Sequence, residues 1–244
     1  MSWLVDMGNT RIRWGLAGGE EQWRVESAVH AGGDVGSVLA GRWSPRGRVD
    51  VVSVAGERAD DALRSWLESQ GAGPVIFHCT PARGQGVINS YIDHAAMGVD
   101  RWAAMVGGRA VTDGAFCVID CGSAVTVDGV DADGRHLGGG ILPGYRLMSR
   151  ALTGETARIL AGDRGGSARG LGTDTAACVS SGVDAAVSGG VLELIHRAER
   201  PMERPLERLL CGGDAERIRD ALEPCRVLPD LVLRGLALMA RDRE

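Results

Sequence analysis

Two short segments carry the same pattern of apolar and polar positions. Residues 4–13 read LVDMGNTRIR, and residues 118–127 read VIDCGSAVTV. Each is an apolar strand ending in aspartate, then a glycine turn with a small polar residue, then a second alternating strand. A β-hairpin with an acid at its first corner is the natural reading of such a pattern. The second copy begins close to halfway along the chain. That repeat predicts two similar domains, residues 1–114 and 115–244, each opening with the hairpin.

The remaining pattern is that of alternating strands and helices. In the first half it predicts strands at Trp3–Met7, Ile12–Leu16, Gln22–Val25, Val49–Val54 and Val75–Phe77. Leu63, Trp66 and Leu67 stand at helical spacing within a helix at Ala59–Ser69, and a second helix is expected over Asp100–Val111. In the second half, strands at Cys117–Asp120, Ala124–Val130 and Leu137–Ile141 form a meander that turns at Asp131–Gly134. Helices follow at Tyr145–Leu160, Thr175–Arg197, Asp214–Leu222 and Pro229–Arg241, with a glycine-rich loop at Gly162–Gly172.

Composition narrows the chemistry. The 244 residues contain 27 basic side chains, every one an arginine. Without lysine there is no Walker P-loop, no kinase β3 lysine and no Schiff-base amine. Phosphate must then be handled by backbone amides, hydroxyls, arginine or carboxylate-held metal ions. The net charge of −5 speaks against a nucleic-acid partner. Six cysteines lack CxxC or metal-ligand spacing, which suits free buried thiols in a reducing compartment. The N-terminus meets an acid at Asp6, too early for a signal peptide, and no apolar run approaches a membrane span. A cytoplasmic protein without a membrane partner is expected. The five histidines are paired with no cysteine or acid at ligand spacing, so surface or structural roles are expected for all of them.

The hairpin corners are the first candidate site. Asp6 can hold a hydrated Mg²⁺, while successive amides of the Gly8 turn with the Asn9 and Thr10 side chains can cradle phosphate. A plain Asp-x-Gly-Asn turn is the competing reading. The second copy, from Asp120 through Gly122 and Ser123 to Thr126, favours a nucleotide clamp built from two acid-bearing hairpins facing across a cleft.

That pairing resembles the actin-like ATPase superfamily, and intervening motifs narrow the resemblance. Gly98-Val99-Asp100-Arg101 looks like the GxDR motif of type III pantothenate kinases, preceded by an N-x-Y element at Asn89-Ser90-Tyr91. Leu137–Gly144 resembles that family's GGxIxPG stretch, Gly172–Thr175 its G-x-x-T element, Gly212-Gly213-Asp214 its GGD and Pro229-Asp230-Leu231 its PDL. The resemblance implies an α/β fold of two actin-like (ribonuclease H-like) domains, each a mixed sheet flanked by helices, with a cleft between them. It implies ATP-dependent phosphorylation of pantothenate to 4'-phosphopantothenate, opening coenzyme A biosynthesis.

By the same resemblance, Asp6, Met7, Gly8, Asn9, Thr10, Arg11, Ile12, Arg13 and Ser123 bind ATP with Mg²⁺. Asp100 is the general base; Tyr91, Gly98, Val99, Asp100, Arg101 and Thr175 hold pantothenate. Asp120 binds a monovalent cation, K⁺ or NH₄⁺, and the protein is a homodimer with its active site at the interface. Other readings stay open at individual residues. Asp100 and Arg101 could simply begin a helix with Arg101 solvated, Thr175 could be an N-cap, and Gly138–Gly140 could be a turn or bulge. At the level of function the alternatives are an actin-like kinase for another small hydroxyl substrate and a regulatory protein of the same fold. Serine at 123, Cys211 and His94 depart from the family pattern without removing a charged residue of the mechanism.

Overall fold

Alternate residues of the first strands face opposite sides of a sheet, and what covers each side follows from them. In this computed structural model, which describes residues 2–17, 24–155, 170–202 and 204–241, Trp3–Met7 (β1) pairs antiparallel with Arg11–Leu16 (β2). Val25–Val29 (β3) adds to the far side of β2, whereas Val49–Ser53 (β4) and Val75–Phe77 (β5) extend the sheet in parallel, giving the order β3-β2-β1-β4-β5. Val5, Met7, Ile12, Trp14, Val49 and Val51 share one face. They pack with Val35 and Leu39 of a short helix, Val35–Leu39 (α1), and Leu63 and Leu67 of Glu57–Ser69 (α2).

Leu4, Asp6, Asp50 and Val52 take the opposite face by the period of two. Val99–Arg109 (α3) and Leu231–Arg241 (α7) cover it, packing on β1 and β4 and against each other. The α3–α7 crossing is possible only because it is bare. A β-carbon on Gly235 would lie 1.7 Å from the Ala103 carbonyl oxygen, and one on Gly107 would lie 2.4 Å from the Leu231 carbonyl oxygen. Beneath these helices Asp50 is fully buried. His78 Nε2 donates to Asp50 Oδ1 at 2.8 Å, and Arg48 binds Asp50 while also donating to the Ala240 carbonyl at 3.1 Å. Burial alone would push this carboxyl up, but His78 and Arg48 outweigh it and hold it below the usual carboxylate range.

The second unit repeats the first. Phe116–Cys121 (β8), Ala124–Val130 (β9) and His136–Pro143 (β10) form an antiparallel meander, and Glu207–Cys211 (β11) and Arg226–Val227 (β12) continue it in parallel, in the order β10-β9-β8-β11-β12. Strand for strand this is the order of the first sheet. Between the two sheets in sequence lie a small hairpin, Arg83–Gly84 (β6) with Val87–Ile88 (β7), and a 3-10 turn at His94–Ala96.

Tyr145–Glu155 (α4), Thr175–Glu199 (α5) and Ala215–Ile218 (α6), the last extended by a 3-10 turn at Arg219–Ala221, flank the second sheet. Val183, Val187, Val191 and Ile195, one turn apart along α5, are buried against Ile119, Val125 and Val127. By length and composition α5 could cross a membrane, with mean hydropathy 1.4 in its best window, contrary to the expected absence of any such segment. Two features suit a helix covering a sheet instead. One is this buried stripe; the other is Asp184, which pairs with Arg217 Nε at 2.8 Å.

Three expectations need correction. The division at residue 114/115 put the last helix in the second half, but the compact units are residues 1–113 with 230–244, and 114–229. Gly235 draws α7 onto α3, a contact that pattern along the chain does not encode. The parallel strands β11 and β12 have no counterpart among the expected strands, because Glu207-Arg208-Leu209-Leu210-Cys211 shows no alternation and Arg226–Val227 is too short to register. The third strand of the first sheet runs Val25–Val29 rather than Gln22–Val25; residues 22 and 23 lie outside the described residues, as do 156–160 of the helix expected over Tyr145–Leu160 and 162–169 of the expected glycine-rich loop.

Replacing Gly235 by alanine is expected to cost at least about 3 kcal/mol, at the upper end of overpacking penalties, because the clashing atom is backbone. A β-carbon on Gly182 in α5 would meet nothing within 4 Å, and alanine there should be neutral or stabilise by up to about 1 kcal/mol. Denaturant unfolding of the two variants checks the pair; similar stabilities would refute the close crossing.

Candidate active site

The first hairpin places Asp6 opposite Arg13, with Oδ2 and Nη1 4.0 Å apart. Gly8 N–H closes the turn by donating to the Arg11 carbonyl at 3.0 Å, leaving Asn9 and Thr10 at the tip. Asn9 is exposed. Packing does not demand glycine at position 8: its φ is not positive, and a β-carbon would meet only the Arg11 oxygen at 3.5 Å. His30, 6 % exposed, lies against this turn with Nε2 2.8 Å from the Gly8 carbonyl oxygen.

Asp6 shares its sheet face with α3, whose first turn carries Asp100 and Arg101. The helix start is tied down by Thr80, whose hydroxyl donates to the Met97 carbonyl at 2.8 Å, and Gly98 sits against Val54 just beyond β4. Asp100 Oδ1 accepts the Arg101 N–H at 2.7 Å. A β-carbon on Gly98 would lie 2.6 Å from that same oxygen, so the glycine makes room for the carboxylate.

Arg101 begins the helix but is not solvated. It is 7 % exposed, donates from Nη1 to the Tyr91 hydroxyl at 2.8 Å, and holds its guanidinium 5.6 Å from the Tyr91 ring centroid. Tyr91 is presented by Asn89, whose Oδ1 accepts the Tyr91 N–H at 2.9 Å and whose amide donates to the His94 carbonyl at 3.4 Å. The N-x-Y and GxDR elements thus meet in space, with a buried cation, a phenol and a carboxylate side by side. Asp6 stands at the same strand edge, since Met7 accepts the N–H of Val54, the residue against which Gly98 packs.

In the second unit Asp120 is the next-to-last residue of β8, opposite Thr126, and Gly122 N–H donates to the Ala124 carbonyl at 2.9 Å, a shorter version of the first turn. Two glycines from distant segments close on it. A β-carbon on Gly212 would lie 2.4 Å from both Asp120 Oδ1 and the Cys121 carbonyl oxygen, and one on Gly144 would lie 2.6 Å from the Gly122 and Ser123 carbonyl oxygens. Ser123 and the acid Asp120 therefore sit among bare backbone supplied by the PG and GGD elements.

Gly138 and Gly140, by contrast, serve packing. Gly138 has φ +117° at a break in register, and a β-carbon on Gly140 would strike Leu194 of α5. The N-cap of α5 is Asp174, which accepts the Ala177 N–H at 2.8 Å; Thr175 is the first helical residue and is exposed. Among the described residues no three His, Cys, Asp or Glu side chains cluster as a transition-metal site. Asp120 Oδ1 and the Cys121 carbonyl oxygen converge on Gly212, oxygen donors of the kind that hard cations take.

Three histidines are buried and partnered: His30, His78 on Asp50, and His136 with Nε2 3.0 Å from Asp128 Oδ1. The contact of His30 with the first turn has no sequence signal, because 22 residues separate the partners.

Two repeats of a five-stranded mixed sheet flanked by helices, each opening on an Asp-x-Gly hairpin, define an actin-like ATPase fold. A Campylobacter jejuni protein assigned to the Baf family of transcriptional activators shares it at TM-score 0.64 and 20 % identity, over 99 % of this chain and 98 % of that one. Sequence comparison reaches further. The model of the type III pantothenate kinase family matches residues 3–197. The type III pantothenate kinase of Nitrosococcus oceani is 33 % identical over 98 % of this chain and 93 % of its own, and that of Marinobacter nauticus is 38 % identical over 97 % of each. The chain belongs to the type III pantothenate kinase family. It is a phosphotransferase that uses ATP.

Thiol chemistry checks the architecture around the second turn. Burial pushes Cys117 and Cys121 up to about 12, Cys121 further raised by the neighbouring Asp120 and Asp214 carboxylates. Both thiols and buried Cys211 should resist a thiol-reactive dye at pH 8 until the protein is unfolded, while exposed Cys79 and Cys178 react at once. Mass mapping of modified cysteines reads the difference, and early labelling of Cys121 would contradict the packing described.

Proposed function

We propose that this protein transfers the γ-phosphoryl group of ATP to the primary hydroxyl of pantothenate, with Asp100 as the general base. The observation that carries it is the Tyr91–Arg101–Asp100 cluster on the sheet face that also bears Asp6. A guanidinium kept from solvent and oriented by a phenol is suited to a substrate carboxylate. A carboxylate one residue away is suited to taking the proton of a nearby hydroxyl.

In this mechanism Arg101 binds the pantothenate carboxylate, and Tyr91, the Gly98 and Val99 backbone and Thr175 make the remaining substrate contacts. Asp100 accepts the hydroxyl proton as the new oxygen–phosphorus bond forms and the bond to the departing ADP oxygen breaks. The first turn, Asp6 through Arg13, and Ser123 hold ATP. Gly8, a glycine that the packing does not demand, supports that role, since bare backbone suits close approach of phosphate. Asp6 with the ATP phosphates suits Mg²⁺, and Asp120 among carbonyl oxygens suits K⁺ or NH₄⁺; these ions supply the positive charge that lysine supplies elsewhere. A homodimer in the cytoplasm completes the proposal. Exposed Ile141, Leu147, Leu152 and Leu192 on β10, α4 and α5 are the apolar side chains that a second copy would cover.

Purified protein given ATP, Mg²⁺ and pantothenate should form phosphopantothenate, faster in K⁺ than in Na⁺. Turnover of another hydroxyl substrate with none on pantothenate would overturn the assignment. Asp100→Asn should lower kcat by about 10²- to 10⁴-fold, the usual span for a general base, while nucleotide affinity stays within a few fold. Normal turnover by this variant would remove Asp100 from the role. Sedimentation should give twice the monomer mass, and Leu147→Glu should reduce it to monomer; a monomeric parent protein would refute the dimer.

A further inference from the structure

His30 makes both of its ring nitrogens useful to the first turn. Nε2 lies 2.8 Å from the Gly8 carbonyl oxygen, which can only accept, so this nitrogen carries a proton. Nδ1 takes the Gly32 N–H at 3.3 Å and is therefore the bare nitrogen. The backbone joins in: the His30 and Ala31 N–H groups both donate to the Thr10 carbonyl, at 2.9 and 3.0 Å. Ala31 does this from the left-handed region at φ 47°, a conformation that crowds the β-carbon of any residue but glycine. Such a strained residue persists only where its surroundings determine it.

The consequence falls on Asn9. Across a trans peptide, the carbonyl of one residue and the N–H of the next point in opposite directions. With the Gly8 carbonyl drawn toward His30, the Asn9 N–H is turned outward, at the exposed tip of the turn. We infer that His30 is a positioning residue for nucleotide binding: by holding the Gly8 carbonyl it aims the Asn9 amide at the ATP phosphates. The inference rests on the proposed role of this turn.

Two near-neutral variants separate positioning from simple packing. In His30→Gln the amide nitrogen can stand where Nε2 stood and donate to Gly8. In His30→Asn the side chain reaches only as far as Nδ1, so the Gly32 contact can be kept and the Gly8 contact is lost. Calorimetric titration with Mg²⁺ and the non-hydrolysable analogue AMPPNP needs no turnover of pantothenate, so it tests His30 even if the substrate assignment fails.

His30→Asn should weaken binding roughly tenfold, the usual scale for a lost hydrogen bond to a buried acceptor, with His30→Gln within about twofold of the parent. In the assay the Asn variant should raise KM for ATP and leave KM for pantothenate unchanged. Equal affinities for the Asn variant and the parent, or equal losses in both variants, would overturn the inference. So would a change confined to melting temperature.

Discussion

Two helix backbones touch where neither has a side chain, and the first unit is organised around that contact. Gly107 of α3 and Gly235 of α7 let the helices cross at a separation that a single methyl group would forbid. The crossing binds the last described residues of the chain to a sheet formed by the first hundred. It also holds α3, whose first turn carries Asp100 and Arg101, against the face formed by β1 and β4. Under the two helices, the Arg48–Asp50–His78 group gives a buried carboxylate two donors and ties Arg48 to the Ala240 carbonyl of α7. A charge buried so deeply tolerates little movement, because losing either partner leaves it only partly compensated.

The same economy of small residues recurs at the second acid. Gly144 and Gly212 come from segments far apart in sequence and close on Asp120 and the Gly122–Ser123 turn. Glycines that look alike in the sequence therefore do different work. Gly98 clears space for a carboxylate, Gly140 and Gly190 let α5 lie flat on β10, Gly138 breaks a register, and Gly8 is required by nothing within the fold. That last case is the informative one. A glycine with no internal packing reason leaves the turn without a side chain, so an external partner can approach the main chain closely.

Much of the site is legible in the sequence because its elements are local. Gly98-Val99-Asp100-Arg101 is a helix start whose residues touch one another, and Asn89 positions Tyr91 across two residues. The meeting of Arg101 with Tyr91 spans only ten residues. Family resemblance supplies the roles, and family membership of the chain agrees with it. The burial of Arg101 is not legible, since an arginine in the first turn of a helix is normally solvated; only the loop folded over it decides otherwise. His30 escapes sequence reasoning for a similar reason, its partner lying 22 residues away across a strand pair.

The sequence by itself determined the repeat, the hairpins and most helices, because these rest on periodicity and turn chemistry within windows of ten to twenty residues. The Asp-x-Gly corners announced the two acids, Asp6 and Asp120, at the turns of the two hairpins. Tertiary structure alone decided which unit receives the last helix, that β11 and β12 complete the second sheet, and which glycines are structural. Each of those outcomes depends on steric fit between segments far apart in the chain, and fit at that range leaves no periodic trace in either segment.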